Sequence, residues 1–245
     1  MRRRLLLAAL AALATTAQAA TVAVDVGHFL DKPGATSAYG VPEFEYNHSL
    51  AAVIAARLAA GGAAVRLIGH RGELADLHAR PREAEEGGAG FLLSVHHDSV
   101  KAHLLEPWVW RGRELAHSES ASGFSLFVSR RNPQLAHSLA CASAIGAALR
   151  AAGLHPTPHH TVGADGVGRP WADEQNGVYY YDNLVVLKYT RLPGVLLEAG
   201  VIINRDEERE LASPARRALT ADAVAAGLAA CGVTSGGGSA KMRSN

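Results

Sequence analysis

Cysteine is nearly absent from this 245-residue chain: Cys141 and Cys231 are the only two. Both sit in alanine-rich helical patterns, without the spacing of a cysteine-ligated zinc site. They form either one disulfide or two buried thiols, and a disulfide here is expected to be structural, not catalytic. A basic stripe is also missing, and a formal net charge of +1 excludes the concentrated positive face of a nucleic-acid binder. Beyond the N-terminus no run is long and apolar enough to cross a bilayer. There is no internal repeat, and no linker marks off a second binding domain.

What is present begins with Arg2, Arg3 and Arg4, an apolar run from Leu5 to Ala14, and an Ala17-Gln-Ala19 end. A basic start, a short apolar middle and small residues at the end predict a secretory signal peptide over residues 1–19. The run is too short for a comfortable membrane anchor. Losing those three arginines from 24 basic residues leaves 21 against 23 acidic ones, so the mature charge is about −2 with histidines neutral. The remaining composition, 48% hydrophobic and 19% charged over the whole chain, suits one globular domain. The tail 234–245 lacks core-forming residues and is expected to be disordered.

Six short apolar runs read as strands: 22–26, 64–68, 91–95, 124–128, 184–187 and 195–197. Several are apolar throughout, as strands covered on both faces are. Helical patterns run over 46–60, roughly 74–86, 134–152 and 214–230. Gly61-Gly62 and Gly153 serve as helix stops, Pro81 is expected to interrupt or kink the second helix, and Ser213 is a candidate N-cap before Pro214. The alternation predicts a single three-layer α/β domain: about six strands, mostly parallel, with helices on both faces. Two long connections, 100–123 and 155–182, carry Trp108, Trp110, His117, His155, His159, His160, Trp171, Tyr179, Tyr180 and Tyr181. They read equally as groove walls or as cover for sheet edges.

Acidic and histidine residues fall where strands end: Asp25 and His28 after the first, His96 at the third, Glu198 after the last. In open α/β sheets, sites assemble at the carboxyl ends of strands. Glu43 lies before or in the first turn of the next helix and can fold back to the same rim. Two imidazoles and a carboxylate form the ligand set of a hydrolytic zinc site with a position left for water. Glu198 is then the candidate that takes the water's proton and passes it to the leaving nitrogen. Glu45 competes with Glu43 at this level. His97 competes with His96, although the two point to opposite strand faces and only one easily reaches a metal.

The ordered motifs resemble the zinc-dependent N-acetylmuramoyl-L-alanine amidases of the amidase-3 type, which cleave peptidoglycan. The resemblance spans about Val22 to Gly232. It rests on Asp25-Val26-Gly27-His28, on Glu43 four residues before Asn47, on Ser94-Val95-His96, and on Pro193 through Glu198 and Gly200 followed by Asn204. It implies a catalytic domain over residues 20–233 in which His28, Glu43 and His96 bind zinc and Glu198 is the catalytic carboxylate. It also implies peptidoglycan as substrate and a periplasmic or secreted location. An activating protein is a further partner whose identity the residues do not carry. Val26 stands where the family usually has proline, Phe29-Leu30 replace a glycine pair, and His97-Asp98 stand where many members have a small residue and asparagine. These changes touch the rim and remove no ligand. Asp98 orients a ligand, touches substrate or is an ordinary loop carboxylate, and Asp25 has no assigned role. Some members carry an inhibitory helix before the last strands. Neither long connection reads as one, so an unmasked site is expected. The competing functions are another secreted zinc carboxypeptidase or amidohydrolase, and a catalytically silent wall-binding protein.

Overall fold

The apolar runs form the middle of a seven-stranded sheet in the computed structural model, which describes residues 21–161 and 168–234. The signal-peptide segment and the tail beyond Thr234 lie outside the described residues. In chain order the elements are β1 (Thr21–Val26), α1 (Glu43–Ala60), β2 (Ala64–Ile68), α2 (Ala79–Glu86), β3 (Phe91–Asp98), β4 (Glu106–Trp110), β5 (Arg113–His117), β6 (Ser125–Val128), α3 (Leu135–Ala151), β7 (Trp171–Asp173), β8 (Val178–Tyr180), α4 (Val185–Tyr189), β9 (Gly194–Val201), α5 (Arg205–Leu211) and α6 (Pro214–Ala230). The sheet order is β2-β1-β3-β9-β6-β8-β7, while β4 and β5 make a separate antiparallel hairpin. Neighbours from β2 through β9 run parallel; β6 turns antiparallel to β9, β8 runs parallel to β6, and β7 closes the edge antiparallel to β8.

Strand alternation sorts the side chains into two cores. Val22, Val24, Val26, Leu93, Val95 and Leu197 face α1, α3 and α6. On the other face Ala23 and Leu92 meet Ala84 of α2, and Phe127 and Leu196 meet Val186 and Leu187 of α4. Helices therefore cover both faces, as the sequence pattern requires. α1 starts after Pro42 with no side-chain cap. It is held by burial of Leu50, Ile54 and Leu58, each worth ~1.5–3 kcal/mol. α6 is capped as expected, with Ser213 Oγ accepting from the Arg216 backbone N–H. Cys141 of α3 and Cys231 at the end of α6 are joined in a disulfide with Cα atoms 5.1 Å apart and a sequence separation of 90. On the chain-entropy account such a link is worth about 2–4 kcal/mol.

Several expectations are corrected. The run 184–187 is not a strand: helix α4 occupies 185–189, with Val186 and Leu187 buried on one side. A short apolar run cannot be told from a buried helical turn by periodicity. The strand count rises to seven because β7 and β8, three residues each, are too short to leave a pattern. Helix α2 begins at Ala79, not near residue 74, which puts Pro81 in its first turn. There its missing N–H costs no internal bond and the helix is not interrupted. Helix α5, unforeseen in the sequence, is capped by Asn204, whose Oδ1 accepts from the Asp206 and Glu207 backbone N–H groups. The described parts of both long connections are ordered into the β4–β5 hairpin and the β7–β8 edge.

Candidate active site

The site lies at the carboxyl ends of β1 and β3, where the parallel strands deliver two histidines to one rim. Gly27 continues the pairing with a backbone bond to the Val95 carbonyl. His28 then turns at φ 67°, the left-handed region that non-glycine residues seldom occupy. A Cβ on Gly27 would fall on the His96 ring, and one on Gly34, at φ 82°, would meet the Glu43 carboxylate and the His28 ring. Glycine at these two positions leaves the space in which the three side chains meet.

His28 Nε2 lies 2.9 Å from Glu43 Oε2, and His96 Nδ1 lies 3.1 Å from Glu43 Oε1. One donor atom from each residue lies within 4.8 Å of the others. Glu43 is 4% exposed. Burial opposes its charge, but hydrogen bonds from His28 and His96 and their positive potential hold it well below the ordinary carboxylate range. Further donors fix it: the Ala35 and His97 backbone N–H groups and Asn47 Nδ2, which also donates to the Gly27 carbonyl. His97 points to the opposite strand face, with its Nδ1 2.8 Å from Asn47 Oδ1. Burial pushes its imidazole down to about 3, so it is neutral and donates to Asn47. His97 thus supports the residue that supports Glu43. Glu45 is exposed and does not reach the group.

Glu198 pairs with His96 across β3 and β9. Its Oε2 is buried with no hydrogen-bond partner. Burial, then the negative charges of Asp98 and Glu43, raises its pKa well above the ordinary value. A cavity of about 410 Å³ opens beside His28 and His96, walled by Phe29, Leu77, Val185 and Leu196. The side chains of His28 and His96 remain 33% and 17% exposed. Helix α4, misread as a strand, supplies part of that wall. The tryptophans of the long connections do not: Trp108 and Trp110 pack on Tyr39, and Trp171 stacks on Tyr179.

Sequence reasoning missed Arg80 and left Asp25 without a role. Arg80 is 1% exposed. It donates to Asp25 Oδ1 at 2.7 Å and to the backbone carbonyls of Val26, His28 and Leu74. Ser94 Oγ donates to the other Asp25 oxygen at 2.7 Å. The ion pair therefore clamps the turn that presents His28. No local signal separates this arginine from a surface one, because all its partners except the Leu74 carbonyl lie more than fifty residues away. Arg80→Met should destabilise the chain by about 3–5 kcal/mol, since Asp25 is left buried without its cation. Adding Asp25→Leu should recover part of that loss in urea unfolding, and an unchanged midpoint in the single variant would remove the clamp.

Helices on both faces of an α/β sheet and a rim of two histidines and a carboxylate that could hold a metal ion define the class: an α/β domain with a candidate metal centre. The family model described as N-acetylmuramoyl-L-alanine amidase matches residues 22–230, and the chain belongs to that family of peptidoglycan-hydrolysing enzymes. No curated protein matches it. Among solved structures it is similar to the N-acetylmuramyl-L-alanine amidase Ami1 of Mycobacterium smegmatis, with TM-score 0.68 and 20% identity over 86% of this chain and 96% of that one. It is also similar to the N-acetylmuramoyl-L-alanine amidase of Clostridium difficile 630, with TM-score 0.66 and 17% identity over 86% and 96%. The CwlD amidase of Clostridioides difficile, solved in complex with the GerS lipoprotein, gives TM-score 0.65 and 17% identity over 86% and 98%. At these identities the structures speak for the fold, and the matched family speaks for the activity.

Proposed function

We propose that His28, Glu43 and His96 hold a zinc ion and that Glu198 moves the proton in hydrolysis of the bond between N-acetylmuramic acid and L-alanine. The observation that carries this reading is the convergence of two imidazoles and a carboxylate beside a buried carboxylate that has no partner. The donor set fits the metal: nitrogen and carboxylate oxygen, pre-oriented by Asn47 and backbone N–H groups, with the cavity open on one side. Bound there, zinc would supply Lewis acidity, polarising the amide carbonyl and making water acidic enough to attack near neutral pH. Glu198 accepts the attacking water's proton and returns it to the departing nitrogen. Glu198 is raised by burial and by the negative charges of Asp98 and Glu43; a dication held by the trio would offset those charges and favour its basic form. The apolar cavity wall receives the substrate and sheds water from the reacting bond.

The signal-peptide reading of residues 1–19 places the mature domain, residues 20–233, in the periplasm or outside the cell. Among the described residues no helix is long and apolar enough to cross a membrane. A lipoprotein-bound structural neighbour supports including an activating protein partner in the reading.

Digestion of purified peptidoglycan tests the bond assignment. Mass spectrometry should find free stem peptides beginning with L-alanine. Loss of a C-terminal residue or of an acetyl group instead would redirect the reading to a carboxypeptidase or another amidohydrolase.

A further inference from the structure

We propose that Asp98, His159 and His160 form a second divalent transition-metal site, separate from the trio of His28, Glu43 and His96. Asp98 ends β3, while His159 and His160 open a single 3₁₀ turn, His159–Thr161, on the connection between α3 and β7. His160, 62 positions along the chain from Asp98, is thus brought face to face with it, beside His159. Both imidazoles aim Nε2 at the same carboxylate oxygen: Asp98 Oδ2 lies 2.6 Å from His160 and 3.2 Å from His159. All three donor atoms lie within 4.8 Å of one another.

Each donor is held by a partner that leaves the inward atom free. Asp98 Oδ1 accepts from the Ser99 backbone N–H at 2.8 Å, so Oδ2 faces the rings. His159 Nδ1 lies 2.9 Å from Thr157 Oγ1, the outer contact that orients a ligating histidine. The His160 ring is wedged edge-on against Phe127 and Tyr179, with centroids 4.9 and 5.4 Å away. The side chains of Asp98, His159 and His160 are 11%, 18% and 17% exposed, so the donors are largely shielded from water.

A plain hydrogen bond accounts for His160 but not for its neighbour. His159 Nε2 is buried with no aligned hydrogen-bond partner, a state that costs free energy when left uncompensated. The two rings also lie 4.0 Å apart, where two positive imidazoliums would repel. A cation between the nitrogens and Oδ2 satisfies both rings at once. Two imidazoles and one carboxylate suit zinc, cobalt, nickel or ferrous ion better than calcium or magnesium, which take oxygen ligands. The other grouping of metal-binding residue types, His137 with Cys141 and Cys231, offers no thiolate because its cysteines are joined.

The test counts metal. The full chain, loaded with excess zinc and freed of unbound ion by gel filtration, should carry two zinc per chain by elemental analysis. The Glu43→Ala variant should carry one. A His159→Ala/His160→Ala variant should also carry one, with the sites differing in which substitution empties them. Cobalt loaded into Glu43→Ala keeps the second cluster intact and should give visible d–d bands and one ion per chain. A parent with one zinc that Glu43→Ala removes overturns this site and leaves the catalytic assignment standing. A parent with one zinc that only the double histidine variant removes does the reverse. No zinc in the parent sinks both.

Discussion

Glu198→Gln is expected to lower kcat by about a hundred- to ten-thousand-fold, the range for losing a positioned proton-transfer group, while zinc stays bound. Glutamine keeps the shape and the burial but cannot carry a proton. Leu197 and Ala199, on either side, remain fully packed in the core, so the strand should hold its register. The proposed zinc trio is untouched, because the carboxylate that joins the two rings is Glu43. Turnover of peptidoglycan, zinc content and thermal melting should be measured on the same preparation. Undiminished cleavage would overturn the assignment; loss of zinc together with activity would move Glu198 into the ligand set. The metal-free chain gives a second readout. Burial and two neighbouring carboxylates raise the Glu198 pKa in the fold, so the native state holds that proton to higher pH than the unfolded chain. Its contribution to stability is therefore full below the unfolded pKa, ~4.3, and is lost as pH rises through the folded value. Glu198→Gln should flatten that part of the stability profile.

Glu43→Ala should empty the proposed zinc site and reduce activity to background. Substitutions one shell further out cost about 10–100-fold in metal affinity, so removing a ligand itself should exceed about 100-fold. The carboxylate spans both rings, with each oxygen near one histidine, and its loss leaves two imidazoles with no anion between them. Asn47→Ala is the graded comparison. It deletes the donor to Glu43 Oε1 and the acceptor for His97 but no ligand, and should fall in the 10–100-fold range. Chelator competition measures both. Equal affinity in Glu43→Ala and the parent would exclude Glu43 as a ligand. The stability of the metal-free chain also has a sign. Glu43 is held below its ordinary range, so its contribution is present above the unfolded carboxylate pKa and lost as pH falls through the folded one. Glu43→Ala forfeits that contribution.

The rim was legible because it is written in local order. Parallel strands carry such residues to one edge: His28 follows β1, while β3 and β9 run on past the expected ends, so His96 and Glu198 lie inside them as a facing pair and Glu198 does not follow its strand. Residue type alone does not separate Glu43 from Glu45; in the fold Glu43 is buried and Glu45 faces solvent. The run 184–187 shows the converse. Its residue types suit a strand or a helical turn, and packing against Phe127, Tyr179 and Leu196 settles it as helix.

By itself the sequence determined the α/β layering and the order of the family motifs along the chain, because alternation, periodicity and motif order are properties of neighbouring residues. Only the tertiary structure decided the rest. It joined Cys141 to Cys231, gave Asp25 its role through Arg80, turned His97 into a support for Asn47, and brought Asp98 to His159 and His160. Each of these contacts joins residues fifty or more positions apart, and such pairings exist only once the layers have packed.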